Sequence, residues 1–375
     1  MPQQWKTVNK FICLSVVGVF LATSENESIH LTQRRLTGDG ESSYNLPSSA
    51  DAWCLPPKEP PLDYTQCNPA GVVNHIPFLA GLTNGLKMLL LGVISSFEDN
   101  RCFWVDESRN QLTKRDKPED QLDSLLLRYF EPIGLPRNHS IVAKAKQEKR
   151  WKRQEWSTVW GNLVNLQKRR VFKRMSSIFN LGYTDVEGHD LKKLILQRLW
   201  RPLAHVRHEA CSRMENMGLH QDYMAFSVRR GDKTLEHVVY TPLEKYTAAA
   251  ERATEQFFDG VVPTIFVAID DCSVVPQFRE QRPTWKFVSE CDNVSKDFQG
   301  LNGYHASSMR SWTKEETDAH YRKFFVEIFA LSTAKYFIGV SHTNVSWWVF
   351  FMRPNRWSYE LIDRDLPTHT VIDYW

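Results

Sequence analysis

Apolar runs punctuate the second half of the chain: YMAFSV (Tyr223 to Val228), TIFVAI (Thr264 to Ile269) and KYFIGV (Lys335 to Val340). Each has strand length and polar flanks, which predicts buried strands. Between them the apolar spacing becomes helical. PLEKYTAAAERATEQFF (Pro242 to Phe258) predicts a helix with proline in its first turn, and HYRKFFVEIFALSTA (His320 to Ala334) predicts another. Strands alternating with such helices predict a parallel α/β sheet. Upstream, the apolar stretch from Val72 to Asn100 is broken by Gly81 and Gly85, and its later part has the length of a buried helix. CFWVD (Cys102 to Asp106) predicts a short strand. From Lys144 to Met175 the chain is strongly basic, with Trp156, Trp160, Leu163 and Leu166 at helical spacing. That predicts an amphipathic helix with charges outward, in preference to a nucleic-acid or membrane patch.

The N-terminus changes the picture. Lys6 and Lys10 precede the apolar run Phe11 to Ala22, and polar residues follow. This predicts that residues 1–22 are a cleaved signal peptide or a short signal-anchor. The run is shorter than the roughly 20 residues that span a bilayer. Residues 23–50 are polar and predict a stalk or linker. Of seven cysteines, Cys13 lies in the apolar run, and an even number remain for bridges in an oxidising compartment. Cys54 and Cys67 flank the proline-rich loop CLPPKEPPLDYTQC and are the expected pair; buried free thiols are the alternative. Sequons stand at Asn26, Asn138, Asn293 and Asn344. A net charge of +3 over 375 residues gives no reason to expect a nucleic-acid partner.

Candidate chemistry gathers where the predicted strands end. After YMAFSV come Arg229, Arg230, Asp232 and Lys233; after TIFVAI come Asp270 and Asp271; after KYFIGV come Ser341, His342, Thr343 and Asn344. Parallel sheets bind ligands beyond the carboxyl ends of their strands, so these clusters are expected to converge on one cleft. Paired arginines offer fixed forks of donors suited to a diphosphate. An ion-pair network of Arg229 and Arg230 with Asp232 and Glu236 is the structural alternative. The Arg230-Gly231-Asp232 tripeptide ends a predicted strand, which argues against an adhesion motif. Asp363-Arg364-Asp365 lies outside any strand–helix unit and is expected to be a turn. No HExxH, paired CxxC or GxGxxG pattern is present, so zinc hydrolysis and a dinucleotide cofactor have no support.

SVRRGDKTLEHVVYTPLEKY resembles the first donor motif of the α-1,6-fucosyltransferases, the core-fucosylating enzymes and their bacterial nodulation relatives. IFVAIDD and FFVEIFALSTAKYFIGVSHTNVSWWVFFM are similar to the second and third motifs, and FLAGLTNGLKMLLLGV to the family's glycine turn. The resemblance runs from about Cys54 to the end. It implies a GT-B-like α/β architecture, with an N-terminal α/β lobe over 51–218 and a Rossmann-like donor-binding lobe over 219–375. It also implies metal-independent, inverting transfer of fucose from GDP-fucose to a hydroxyl of a glycan, the N-glycan core being the expected acceptor. No cofactor is implied beyond the donor substrate. The expected location is the Golgi membrane with the catalytic part in the lumen, or secretion if the N-terminal segment is cleaved. Carried over by position, Arg229 and Arg230 hold the diphosphate, with Asp232 and Lys233 in support. Asp270 and Asp271 stand for the second-motif aspartates, and Glu327 reads guanine. Ser341, Thr343 and Asn344 form the phosphate loop, Gly81 and Asn84 lie in the glycine turn, and Glu236 is the candidate base. The chain departs from the pattern in four places: Ser227 replaces the leading histidine, the step from Lys233 to Glu236 is one residue short, Glu327 replaces an aspartate, and His342 replaces a small hydroxyl residue. A transferase for another GDP-sugar or acceptor, or an inactive glycan- or nucleotide-binding relative, are the alternative readings.

Overall fold

The computed structural model describes residues 54–55, 57, 60–78, 81–108, 110, 112–154, 188–220, 222–231, 240–293, 308–353 and 358–363. The expected signal segment and stalk, and Trp156, Trp160, Leu163 and Leu166, lie outside these residues. Among the described residues no helix is long and apolar enough to cross a membrane.

Two parallel sheets organise the chain. The smaller contains β1 (Val73–Pro77), β2 (Phe103–Asp106) and β3 (Trp151–Arg153) in the order β2-β1-β3. Ile76 and Phe103 join the helix Leu82–Glu98 in the main hydrophobic core. The two expected glycine breaks differ in kind. A Cβ on Gly85 would lie 2.4 Å from the Phe78 ring, so glycine is what lets that ring pack. Gly81 caps the helix at φ −54 with open space around it, and nothing steric demands glycine there.

A continuous helix from Lys144 does not form. The helix is Ser140–Gln147, Lys149 turns the chain at φ 55, and Trp151–Arg153 then pairs with β1 as β3. Helix propensity is a weak local preference, and a ladder of bonds to a strand already in place outweighs it.

The larger sheet contains β4 (Met224–Val228), β5 (Ile265–Ile269), β6 (Phe287–Val288), β7 (Tyr336–Gly339) and β8 (Tyr359–Leu361), all parallel in the order β6-β5-β4-β7-β8. β4, β5 and β7 are buried at every position, as expected for strands covered on both faces. Phe226, Val267 and Ile338 pack with the helices Leu243–Phe257 and Val275–Gln281. Ala225, Phe266 and Phe337 face the other way, into the core shared with the helix Lys314–Thr333. That helix starts earlier than its apolar spacing predicts, because Thr313 and Glu316 form a reciprocal capping box. Its far end is capped by the buried Arg353, whose guanidinium donates to the carbonyls of Leu331, Ala334 and Ser358.

The expected Cys54–Cys67 bridge is not made. Cys54 joins Cys211, Cys67 joins Cys102, and Cys272 joins Cys291. Asn68 bridges to Arg101 beside the start of β2, which brings the Cys67 and Cys102 Cα atoms to 5.0 Å. β5 and β6 are neighbours, so the loops leaving their carboxyl ends lie close enough for the third bridge.

Candidate active site

Because the five strands of the larger sheet run one way, their carboxyl ends share one edge. Asp270, the first residue beyond β5, organises it. One carboxylate oxygen pairs with the Arg229 guanidinium, and the other accepts the backbone N–H of Arg230 at 2.8 Å. A single side chain therefore fixes the turn after β4. The Arg230 guanidinium lies 4.6 Å from the Tyr240 ring centroid, and no carboxylate among the described residues pairs with it. Asp271 turns away: its side chain accepts from the N–H and hydroxyl of Ser273 and caps the short turn there.

The helix Lys314–Thr333 braces this edge from one side. Lys323 donates to the carbonyl of Ile269 at 2.6 Å, Glu327 accepts the N–H of the same residue at 3.1 Å, and the two side chains pair with each other. Both backbone groups of the last β5 residue are thus held just before Asp270. Burial raises the Glu327 carboxyl above the usual range, against the pull of Lys323. Fully buried Glu290, after β6, is pushed up to about 7 by burial, with Arg213 opposing. The placement of Lys323 was legible as a partner four residues before Glu327; Glu290 carried no comparable sequence signal.

His320 completes this side. Burial, with Lys323 and Arg229 close by, pushes its imidazole from 6.5 down to about 3. The unfolded chain then binds a proton that the folded one refuses, so this contribution to stability is complete above pH 6.5 and is lost as pH falls towards 3. A His320→Gln variant should therefore gain on the wild type by up to ~1.4 kcal/mol per pH unit below that point. Urea unfolding at stepped pH measures this, and parallel curves would show that the imidazole is not held neutral. Glu290 acts with the opposite sign, but equally in both proteins.

β7 delivers the third cluster. Thr343 caps the helix Asn344–Met352 by accepting from the N–H of Ser346 at 3.1 Å. The loop before it is tied to Asp363, just beyond β8. Asp363 accepts the Ser341 N–H at 2.7 Å and its hydroxyl at 3.0 Å, and meets His342 Nδ1 at 2.8 Å. Burial would raise the Asp363 carboxyl, but the hydrogen bonds from His342 and Ser341 outweigh it and hold it below the usual range. The turn expected at Asp363 is present, yet its side chain is wholly buried and anchors the neighbouring strand's loop.

The structure therefore brings Arg229, Arg230, Asp270, Glu327, Ser341, Thr343 and Asn344 to one sheet edge. Gly81 and Asn84 stand on the first turn of the helix that follows β1, and no hydrogen bond or ion pair among the described residues links them to the arginines. Asp232, Lys233 and Glu236 lie outside the described residues. Among those residues no cluster of histidine, cysteine and carboxylate side chains could hold a metal ion. A separate cavity of about 270 Å³ lies against Arg128, Tyr129, Glu209, Asp318 and Arg322. Its charges are matched internally, Asp318 taking Arg128 and the Tyr129 hydroxyl, and Arg322 approaching Glu209 at 3.6 Å.

No family model and no curated protein matches the chain. Solved structures do. The chain is similar to the NodZ α-1,6-fucosyltransferase soaked with GDP-fucose, at 12% identity and TM-score 0.47, over 80% of this chain and 97% of that one. It is similar to the fucosyltransferase NodZ from Bradyrhizobium, at 10% identity and TM-score 0.46, over 76% and 94%. It is also similar to a variant of Arabidopsis thaliana FUT1 in complex with GDP, at 12% identity and TM-score 0.43, over 80% and 73%.

Proposed function

We propose that the chain is an inverting glycosyltransferase of the secretory pathway that moves fucose from GDP-fucose to a hydroxyl of a glycan. The observation that carries this is the Asp270 clamp, which presents two consecutive arginines at the carboxyl edge of a parallel sheet. The fucosyl donor follows from the motif that begins at Ser227. The disulfides favour an oxidising compartment, with the Golgi as the proposed station and the N-glycan core as the proposed acceptor.

In this reading Arg229 and Arg230 bind the diphosphate, supported by Asp232 and Lys233, and Ser341, Thr343 and Asn344 close around it. Oε1 of Glu327 already receives Lys323 and the Ile269 N–H, which leaves Oε2 for the guanine N–H donors. The bond from the fucose anomeric carbon to the diphosphate breaks and its electron pair stays on the phosphate oxygen. The acceptor oxygen bonds to that carbon from the opposite face, and its proton passes to a carboxylate, proposed to be Glu236. Charge grows on the departing diphosphate, where arginines placed beforehand stabilise it.

Calorimetry on the full chain tests the donor half. GDP should bind at least about tenfold tighter than UDP, a difference of ~1.4 kcal/mol, and labelled GDP-fucose should transfer its sugar to a glycan acceptor. Equal affinities, or no nucleotide binding, would overturn the assignment.

A further inference from the structure

His342 is the residue of the strand-end clusters that the donor reading leaves without work. It is 7% exposed and is held by the fully buried Asp363. That carboxylate fixes which nitrogen faces inward: Nδ1 donates to Asp363, so the free chemistry of the ring is at Nε2. Among the described residues Nε2 has no hydrogen-bond partner. The same carboxylate also takes both donors of Ser341, so side-chain bonds from beyond β8 hold the loop leading into the helix Asn344–Met352. β7 lies directly beside β4, which places this loop on the strand end next to Arg229 and Arg230.

We propose that His342 is a donor-contacting residue: as an imidazolium held by Asp363 it donates from Nε2 to the diphosphate, and nucleotide binding takes up a proton there. The inference rests on the GDP-donor reading above. The charged groups around this edge are Asp363 after β8, Arg229 and Arg230 after β4, Asp270 after β5, and the Lys323–Glu327 pair that braces the end of β5. Tyr246 stands among them, a phenol raised mainly by burial that also feels Arg230, Asp363 and Asp270. A bound diphosphate would favour a positive charge on the ring, and Asp363 compensates that charge from behind. When the glycosidic bond to the donor breaks, the electron pair remains on the phosphate oxygen. The Nε2 proton stays on His342 as a hydrogen bond that strengthens with the growing negative charge. An imidazole beside an anion site is suited to the leaving group; the acceptor hydroxyl loses its proton to another residue.

Calorimetric GDP binding across pH, in wild type and His342→Gln, tests this. Glutamine keeps a donor but cannot take a proton. At pH 6.5 the variant should bind GDP about tenfold more weakly, the worth of one charge-assisted bond; by pH 8.5 the two should converge as the wild type loses its imidazolium. Titration of GDP itself is common to both proteins and cancels. Wild-type binding near neutral pH should take up more protons than binding to His342→Gln, measured in buffers of different ionisation enthalpy. Inorganic pyrophosphate should show a difference of the same sign between the two proteins and guanosine none. In histidine-labelled wild-type protein the His342 ring resonances should move to imidazolium positions when GDP is added at pH 7.5, a readout that needs no variant to fold. Superimposable pH profiles for wild type and His342→Gln, or ring resonances that ignore GDP, would overturn the role of His342 and leave the donor reading standing. Absence of GDP binding by the wild type at every pH would overturn both.

Discussion

Arg230→Ala is expected to lower fucosyl transfer by about 10²–10³-fold while leaving the unfolding transition nearly unchanged. The asymmetry follows from what each part of the residue does. Its backbone N–H holds Asp270 and survives the substitution, so the clamp on Arg229 is kept. Its guanidinium packs on exposed Tyr240, a cation–π contact worth roughly 0.5–1 kcal/mol at such a site. The stability cost is therefore small. The functional cost is large because a guanidinium facing a phosphate makes charge-assisted bonds, and these strengthen as the leaving group gains charge. GDP affinity should fall less than turnover does. Asp270→Ala should resemble the arginine variant in activity but also lose stability, since it removes the carboxylate that bonds the Arg229 guanidinium and the Arg230 N–H together. Steady-state kinetics beside urea unfolding separate the two. Near-wild-type turnover in Arg230→Ala would mean that the Arg230 guanidinium does not serve the transfer.

The disulfides carry the second large effect, and their ranking for stability should invert for activity. Cys54–Cys211 closes 157 residues of sequence and Cys272–Cys291 closes 19. Loop-closure entropy alone puts their stabilisation at about 5 and about 3 kcal/mol. Replacing Cys54 and Cys211 by serine should therefore cost more in urea unfolding. The shorter bridge has another place: Cys272 follows Asp270 and Asp271, and Cys291 follows Glu290, so it clips together two of the loops at the carboxyl edge of the larger sheet, the proposed donor site. Serine at Cys272 and Cys291 should cost less stability but more GDP affinity. If both double variants lose affinity in proportion to stability, the clip has no role beyond folding.

Much of the candidate site at the carboxyl edge of the larger sheet was legible before any tertiary contact. The strands ending at Val228, Ile269 and Gly339 have apolar periods of their own, and the charges that follow them are local facts of the chain. Because the side-chain period of an element depends on its own backbone, periodicity reports elements well. It does not report partners. An ion-pair network with Asp232 and Glu236, close in sequence, was the alternative reading of the arginines, and both carboxylates lie outside the described residues; the contact that sequence did not show is that of Arg229 with the Asp270 carboxylate, 41 residues on, made because β5 is the parallel neighbour of β4. Asp363 looked like a turn residue near the end of the chain, yet it anchors Ser341 and His342 because β8 lies beside β7. The same reasoning covers the cysteines, whose pairing follows loop proximity across elements, and the basic stretch after Lys144, part of which became a strand once β1 offered it a ladder. Sequence by itself determined most of the elements and the chemistry placed at their ends, since both are set mainly by neighbours along the chain. Only the tertiary structure decided which side chains meet, since strand order and the burial that forces polar groups into partnership are properties of the folded whole.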